Sequence, residues 1–252
     1  MVEAPQIIIK AEELFRIGNF PVTNALFLSA FTFLTLAVVG ILFSRRIGLL
    51  PGSFQNLIEF AFTSMLDFIE SILGSRKKAE KYFPLIATVF FFILVSNWLG
   101  LLPGVGSFVF HQNENGALTT IPIFRSPASD LNFTIALALI AVFGINFFGI
   151  VAIGFAKHLS KFFNFKNPIN FAVGIFEIVS EVAKIVSFSF RLFGNIFAGE
   201  VLLTIMVFLV PYLIPLPFLA LEIFVGFIQA FVFAMLTTIF LTISTEDVHE
   251  AH

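Results

Sequence analysis

The chain has 252 residues, of which 58% are hydrophobic and only 12% are charged, and its formal net charge is −2. Its mean hydropathy is +1.01. Because soluble domains carry about 25% charged residues, this composition excludes a soluble enzyme and indicates an integral membrane protein. The absence of Cys excludes disulfides and thiolate chemistry. The slightly negative charge predicts no nucleic-acid partner.

Three apolar runs in the first two thirds of the chain are long enough to cross a bilayer, for which a helix needs about 20 residues. They cover residues 25–43, 84–102 and 131–156. We expect an external N-terminal segment at 1–24 and an external loop at 103–129.

Residues 54–73 predict a helix of a different kind. Apolar side chains recur there at spacings of three and four, and the opposite face carries polar and acidic residues such as Glu59, Asp67 and Glu70. This pattern is typical of an amphipathic helix. It would lie on the membrane surface or pack on a helix of a partner.

The last two apolar runs, 171–210 and 216–244, are longer than a simple crossing requires. Forty helical residues extend about 60 Å, about twice the thickness of the hydrocarbon core. The short connection between the runs contains Pro211, Pro215 and Pro217, which end one helix and start the next. The sequence therefore predicts an all-α polytopic membrane protein with five transmembrane helices, one amphipathic interfacial helix and a long, strongly tilted final hairpin.

Lys and Arg in the loops predict the orientation of the chain. Nine of the fourteen lie in the two loops around residues 45–81 and 157–166, and three lie on the opposite side. Because cytoplasmic loops are enriched in Lys and Arg, we expect the N-terminus outside and the tail at 245–252 inside.

Six ionisable side chains interrupt the last two runs, although each costs about 2.5–3.5 kcal/mol at the centre of a bilayer. They are Glu177, Glu181, Lys184, Arg191, Glu200 and Glu222. Counted from the final turn, Glu200 and Glu222 lie toward the outside, together with Asn195 and Gln229. Glu177 and Glu181 lie toward the inside. The pattern predicts two offset groups of carboxylates with Arg191 between them, as expected of an ion path.

Several of these residues also have structural interpretations. Glu177 and Glu181 lie at helical spacings that allow pairing with Lys184, and Lys184 itself can extend to the inner surface. Asn195 and Gln229 can join helices by hydrogen bonds. Ser187 can bond to the backbone of its own helix.

Four short motifs resemble subunit a of F-type ATP synthases. The most specific is SFSFRLFGNIFAGE at 187–200, and IQAFVF at 228–233 resembles the second signature of that family. NWLGLLP at 97–103 and SDLN at 129–132 add support.

The resemblance implies a stator that abuts a rotating ring of c subunits in a lipid bilayer, next to peripheral-stalk b subunits and the rest of the synthase. It implies that Arg191 meets the carboxylate of the ring and blocks a direct proton leak. The implied inlet half-channel consists of Asn97, Asp130, Asn195, Glu200, Glu222 and Gln229. The implied outlet consists of Glu177, Ser187 and Glu181.

The same resemblance implies no cofactor, no metal and no catalytic site in this chain, since ATP chemistry belongs to the soluble head. Glu at both 200 and 222 points to a bacterial or plastid-like protein more than to a typical mitochondrial one. We expect a bacterial plasma membrane rather than a plastid or mitochondrial membrane. Two rival interpretations are a secondary transporter, which often shows inverted repeats that are not found here, and a scaffold subunit without an ion path. The sequence does not decide between H⁺ and Na⁺.

Overall fold

A computed structural model describes residues 11–45, 47–48, 52–102, 109–114, 117–162, 168–210 and 213–245. Those residues form seven α-helices: α1 Asn24–Ser44, α2 Ser53–Leu73, α3 Arg76–Gly100, α4 Leu131–Ile153, α5 Phe155–Phe162, α6 Pro168–Leu209 and α7 Pro215–Thr245. Helices α1, α3, α4, α6 and α7 are long and apolar enough to cross a membrane. The predicted polytopic all-α fold with five spans is confirmed. The predicted tail at 245–252 lies, except for Thr245, outside the described residues.

Two short hairpins lie in the regions that the sequence assigned to an external segment and a loop. Strand β1, Glu13–Ile17, pairs with β2, Phe20–Thr23, and β3, Val109–Glu114, pairs with β4, Ala117–Pro122, both in antiparallel fashion. The first turn contains Gly18 with a φ of 63°, a left-handed conformation that favours glycine. Strands this short have too little alternation of polar and apolar residues to be read from the sequence.

The second span begins earlier than its apolar run. Helix α3 starts at Arg76, and Pro84 lies inside it rather than at its start. The Arg76 guanidinium contacts Asp67, Glu70 and Glu80 at 2.6, 3.1 and 3.3 Å, which holds the charged first turns next to the end of α2. Helix formation does not require apolar residues, so the apolar run marks only part of the helix.

The third apolar run is divided in two by a glycine. Helix α4 ends at Ile153, Gly154 has a φ of 91°, and α5 starts at Phe155. The Gly154 N–H donates to the Ile150 carbonyl at 2.9 Å, which closes the last turn of α4. Because the left-handed region disfavours residues with a Cβ, glycine at this position ends the helix.

The chain divides into two compact units. Unit 1 comprises the described residues of Met1–Arg46, Phe91–Thr134 and Phe190–Phe231. Unit 2 comprises those of Ile47–Phe90, Ile135–Ser189 and Val232–His252. Apolar packing in unit 2 centres on eight buried residues of α2, α3, α4 and α7: Ile69, Leu73, Ala79, Tyr82, Ile86, Ile145, Ala234 and Leu241.

Helix α1 joins unit 1 through a small buried stripe, Ala25, Leu28 and Thr32. Its start is fixed by Thr23, whose hydroxyl accepts from the Leu26 N–H at 3.3 Å and so caps the helix. Within unit 1, α6 and α7 run antiparallel, because Asn195 contacts Gln229 whereas Gly199 lies against the earlier residue Glu222.

The amphipathic helix α2 is confirmed as a helix, and only Ile69 and Leu73 near its end are buried. Phe54, Leu57 and Phe60 near its start are 69%, 64% and 72% exposed. This apolar surface fits either of the two predicted settings, the membrane surface or a partner helix.

Candidate functional site

Unit 1 contains a cavity of about 240 Å³ between the ends of its helices. Its wall is formed by residues of α3, of the end of β4 and the segment that follows it, of α6 and of α7. The polar residues of the wall are Asn97, Arg125, Ser126, Glu200, Thr204 and Glu222. Three of the residues predicted for the inlet, Asn97, Glu200 and Glu222, thus line one cavity.

Glu200 is held by a cation that the sequence did not indicate. The Arg125 Nε lies 3.2 Å from the Glu200 Oε1 and also donates to the Ser129 hydroxyl at 3.1 Å. The Arg125 side chain is only 7% exposed, whereas that of Glu200 is 37% exposed. A guanidinium that cannot lose its proton therefore stands in the cavity wall beside a carboxylate.

Glu222 of α7 is buried and faces α6 at Gly199. Glu222 is 4% exposed, and a Cβ at Gly199 would overlap its carboxyl group. The absence of a side chain at Gly199 therefore makes the space in which this carboxyl group lies.

Hydrogen bonds connect α7 with α6 and with α3 near the cavity. The Asn195 Nδ2 donates to the Gln229 Oε1 at 2.6 Å. The Asn97 Nδ2 donates to the Gly226 carbonyl at 3.3 Å, and the Trp98 Nε1 donates to the Ile223 carbonyl at 3.1 Å. Asn195 and Gln229, both predicted for the inlet, are thus brought together.

Several buried polar atoms near the cavity lack a hydrogen-bond partner within the part of the chain that the structure describes. They include the Asn97 Oδ1, the Ser126 Oγ and the Glu200 Oε2 in the wall, and the Gln229 Nε2 beside it. Because buried polar groups in proteins are nearly always hydrogen-bonded to protein or water, these atoms indicate a wall suited to hydration.

Asp130, also predicted for the inlet, lies at the start of α4 rather than in the cavity wall. Its Oδ1 accepts from the backbone N–H of Asn132 at 2.9 Å and from the Asn132 Nδ2 at 3.2 Å. This is the geometry of a helix cap.

Arg191 lies in α6 between Ser187 and Asn195 and is partly buried. Phe190 beside it is 55% exposed, and Val186 and Val182, which lie on the same helix face, are 49% and 56% exposed. The arginine therefore lies next to an exposed apolar stripe of α6.

Unit 2 contains a continuous set of polar side chains. The Glu181 carboxylate accepts from Lys184 at 2.5 Å and from the Asn146 Nδ2 at 3.0 Å. The Asn146 Oδ1 in turn lies 3.0 Å from the His158 Nε2. Lys184 also lies 5.0 Å from the centre of the Phe240 ring. Of the alternatives for Glu181 and Lys184, the structure shows the mutual pair.

His158 of α5 is only 6% exposed. Burial lowers its pKa, and the nearby ammonium of Lys161 lowers it further, whereas the carboxylates of Glu181 and Glu177 raise it and Lys184 lowers it. The balance leaves the pKa below its usual value of 6.5. Folding therefore favours the uncharged form of the imidazole.

Comparison with known proteins decides the family. Residues 26–242 match the family model described as ATP synthase A chain. The chain belongs to this family. It is the family of the proton-translocating stator subunit of ATP synthase, so the resemblance read from the signature at residues 187–200 is confirmed.

Relatives of the family resemble this chain over most of its length. ATP synthase subunit a of Campylobacter curvus is 35% identical over 237 residues, which cover 91% of this chain and 96% of that protein. ATP synthase subunit a of Helicobacter pylori is 35% identical over 245 residues, covering 93% and 98%. That of Campylobacter jejuni strain 81-176 is 37% identical over 218 residues, covering 85% and 86%.

Sequence reasoning missed four residues of the two polar regions in this member of the ATP synthase A chain family. Arg125 was assigned only to the external loop, although it is the sole Lys or Arg among residues 103–129. Gly199 gave no signal apart from lying in the signature. Asn146 and His158 gave no sequence signal either. The sequence predicts one continuous run at 131–156, whereas Gly154 ends α4 and a separate helix, α5, carries His158.

Proposed function

We propose that this chain is the stator that passes protons between the two sides of the membrane and the carboxylates of a rotating ring of c subunits. The observation that carries the proposal is the cavity of unit 1, which holds Glu200 and Glu222 in a chain of the ATP synthase A chain family. Carboxylates within apolar helices are costly and mark ion paths in membrane proteins.

The outer half-channel consists of Asn97, Glu200 and Glu222 in the cavity wall, with Asn195 and Gln229 beside it. Carboxyl groups exchange protons, and the amides of Asn and Gln donate and accept hydrogen bonds that orient water without competing for the proton. Because Asp130 caps α4, we assign it to the fold rather than to this path.

The inner half-channel consists of Glu177, Ser187 and Glu181 of α6 in unit 2. The Glu181 carboxylate accepts hydrogen bonds from Lys184 and Asn146, and the ammonium of Lys184 balances its negative charge. Glu177 and Ser187 lie on the same helix toward the basic loops, which supports a path to the inner side.

Arg191 separates the two paths along α6 and meets the carboxylates of the ring. An arginine cannot release its proton in a protein, so protons do not cross it directly. Its fixed positive charge attracts an ionised carboxylate and lowers that group's affinity for a proton. Each ring carboxylate that reaches Arg191 is therefore driven to release its proton, and ion flow requires rotation of the ring.

The partners and the location follow from the same proposal. The exposed stripe of Val182, Val186 and Phe190 beside Arg191 supports contact between α6 and the apolar surface of the c ring. Peripheral-stalk b subunits and the soluble head complete the assembly. The similarity to bacterial relatives supports a bacterial plasma membrane, and the Lys and Arg loops support an external N-terminus and an internal C-terminus.

The test is Arg191→Ala in membrane vesicles that contain the intact complex. We expect ATP-driven proton pumping to be lost, with an increased passive proton leak, because the barrier and the partner of the ring are both removed. Arg16→Ala is the matched control, since Arg16 pairs with Glu13 on the surface of the first hairpin. Assembly is checked by the amount of the chain that copurifies with the soluble head.

Wild-type pumping with tight coupling in the Arg191→Ala complex would contradict the proposal. It would favour the scaffold interpretation, in which the chain holds the assembly but carries no ion path.

A further inference from the structure

The N-terminal segment brings a carboxylate to the edge of the cavity of unit 1. The backbone carbonyl of Glu12 accepts from the Asn24 N–H at 3.0 Å, and the Glu12 Oε2 lies 3.5 Å from the Asn24 Nδ2. Asn24 is fully buried, and its Nδ2 also donates to the Pro122 carbonyl at 3.3 Å. Since Pro122 lines the cavity, Asn24 links the segment that carries Glu12 to the cavity wall.

The hydrogen bond from Asn24 to the Glu12 carboxyl is long, and the same amide also serves Pro122. A contact at 3.5 Å holds a group in place weakly. The position of Glu12 therefore follows mainly from its backbone, and its carboxyl group remains available for proton exchange.

Glu12 shares its electrostatic surroundings with the charged pair in the cavity wall. Burial raises the pKa of its carboxyl group, the guanidinium of Arg125 lowers that pKa, and the carboxylate of Glu200 raises it. Arg125 is also the direct ionic partner of Glu200 at 3.2 Å. The charge of Arg125 thus acts on both carboxylates, in direct contact with Glu200 and at longer range on Glu12.

The charges of this group favour one bound proton. With both carboxylates ionised the group carries one excess negative charge in a half-buried site, and one proton neutralises it. Because Arg125 acts on both, moving the negative charge from Glu200 to Glu12 changes the interaction with the cation less than separating either carboxylate from it would.

Resting on the proposed function, we propose that Glu12 is the proton-collecting carboxyl group at the mouth of the outer half-channel, and that Arg125 positions Glu200 to receive its proton. The O–H bond of the Glu12 carboxyl breaks and an O–H bond forms on the Glu200 carboxylate, so the negative charge passes from Glu200 to Glu12. Glu12 then takes up a proton from the outer medium. Arg125 keeps its charge throughout and acts as a positioning residue.

The experiment compares Glu12→Gln with wild type in vesicles that contain the intact complex, with the pH of the outer and inner media set separately. The readout is the rate of ATP synthesis at a constant total driving force. Glu13→Gln is the matched control, because Glu13 is the next residue and pairs with Arg16 on the surface of the hairpin. Glu12→Asp keeps the carboxyl group and should restore most of the wild-type response.

We expect Glu12→Gln to match wild type at an outer pH of about 6, where free protons are abundant. At about pH 8 free protons are about a hundredfold scarcer, so the loss of a collecting carboxyl group should lower the rate to roughly one tenth of wild type. The inner pH should not change this ratio. Arg125→Gln should change the same outer-pH dependence, because it removes the cation that acts on both carboxylates, and Arg125→Lys should restore part of it.

A Glu12→Gln complex that follows wild type at every outer pH would overturn the inference, as would a loss that Glu13→Gln reproduces. A loss that depends on inner pH would also overturn it. The proposed function fails separately, through coupled pumping in Arg191→Ala, so loss of pumping in Arg191→Ala together with an unaffected Glu12→Gln would reject the role of Glu12 alone.

Discussion

The polar regions of unit 1 and unit 2 use similar side chains in different ways. In unit 1, Glu200 is paired with a cation from a segment distant in sequence, and buried polar atoms of the cavity wall have no partner among the described residues. In unit 2, Glu181 is bonded on both carboxylate oxygens, to Lys184 and Asn146. The first arrangement leaves oxygen atoms that can exchange a proton, whereas the second satisfies its central carboxylate.

A carboxylate on an apolar helix therefore does not by itself define a proton path. Glu181 and Glu200 lie on the same helix, α6, and both have a cationic partner. What separates them is the cavity: Glu200 lines one of about 240 Å³, together with Glu222 of α7. We therefore assign the uptake of protons to unit 1, and we regard Glu181 as the more rigidly held member of the proposed inner path.

The largest expected effect comes from filling the space opposite Glu222. Gly199→Ala places a methyl group where the Glu222 carboxyl lies, and overpacking of this kind costs roughly 1–3 kcal/mol. If this cost is carried into the transfer step, we expect proton conduction through the membrane sector to fall by about fivefold to about 150-fold, since each 1.36 kcal/mol is a factor of ten in rate. Passive conduction in vesicles stripped of the soluble head measures this.

The matched control for Gly199→Ala is Gly40→Ala in α1, because a Cβ at Gly40 meets no atom within 4 Å. Equal conduction in the two variants would show that the Glu222 carboxyl does not need its present position. The contrast between the two units would then no longer be supported by Glu222 of α7.

An intermediate effect is expected from the Arg125–Glu200 pair. Arg125→Gln leaves Glu200 without its cation, and Glu200→Gln leaves Arg125 without its acid, so the double variant should be less destabilised than the two single changes predict together. We expect a coupling free energy of roughly 0.5–3 kcal/mol, the usual range for residues in contact. Thermal unfolding of the purified chain in detergent gives the values.

Strict additivity of Arg125→Gln and Glu200→Gln would mean that the contact at 3.2 Å contributes nothing. The corresponding cycle for Glu181 and Lys184, at 2.5 Å in unit 2, provides the comparison.

The smallest expected effect is a pH dependence of stability that arises from His158 in unit 2. Its pKa is lowered in the folded chain, so the unfolded chain binds more protons as the pH falls below about 6.5. Stability contributed by neutral His158 is therefore present above that pH and is lost on acidification. We expect the melting temperature to decrease less between about pH 7.5 and pH 5.5 in His158→Gln than in wild type.

Glutamine suits this comparison because it can still donate to the Asn146 Oδ1 that now lies 3.0 Å from His158, yet it does not titrate. Identical pH profiles of the two proteins would show that the pKa of His158 is not lowered by folding, which would contradict the prediction.

Much of the fold could be predicted from the sequence because membrane spans are encoded locally. The runs at 25–43 and 216–244 agree closely with α1, Asn24–Ser44, and α7, Pro215–Thr245. The break at Gly154 and the early start of α3 depend on a left-handed glycine and on the contacts of Arg76, which hydropathy does not report.

The candidate site could be predicted only as far as single helices allow. The spacing of Glu200 and Glu222 from the final turn predicts that both lie toward the outside, and the structure puts both in one cavity wall. The partner of Glu200 could not be found this way, because Arg125 and Glu12 reach the cavity region through the hairpin segments and not through helical periodicity.

The most direct test of the contrast between the two units is a side-specific pH titration of Glu200→Gln and Glu181→Gln in vesicles that contain the intact complex. We expect Glu200→Gln to lower the rate of ATP synthesis, and we expect this loss to depend strongly on the outer pH and little on the inner pH. We expect Glu181→Gln to change only the dependence of the rate on the inner pH. If both variants respond to the same side, or if neither alters any pH dependence, the assignment of the two polar regions to opposite half-channels is contradicted.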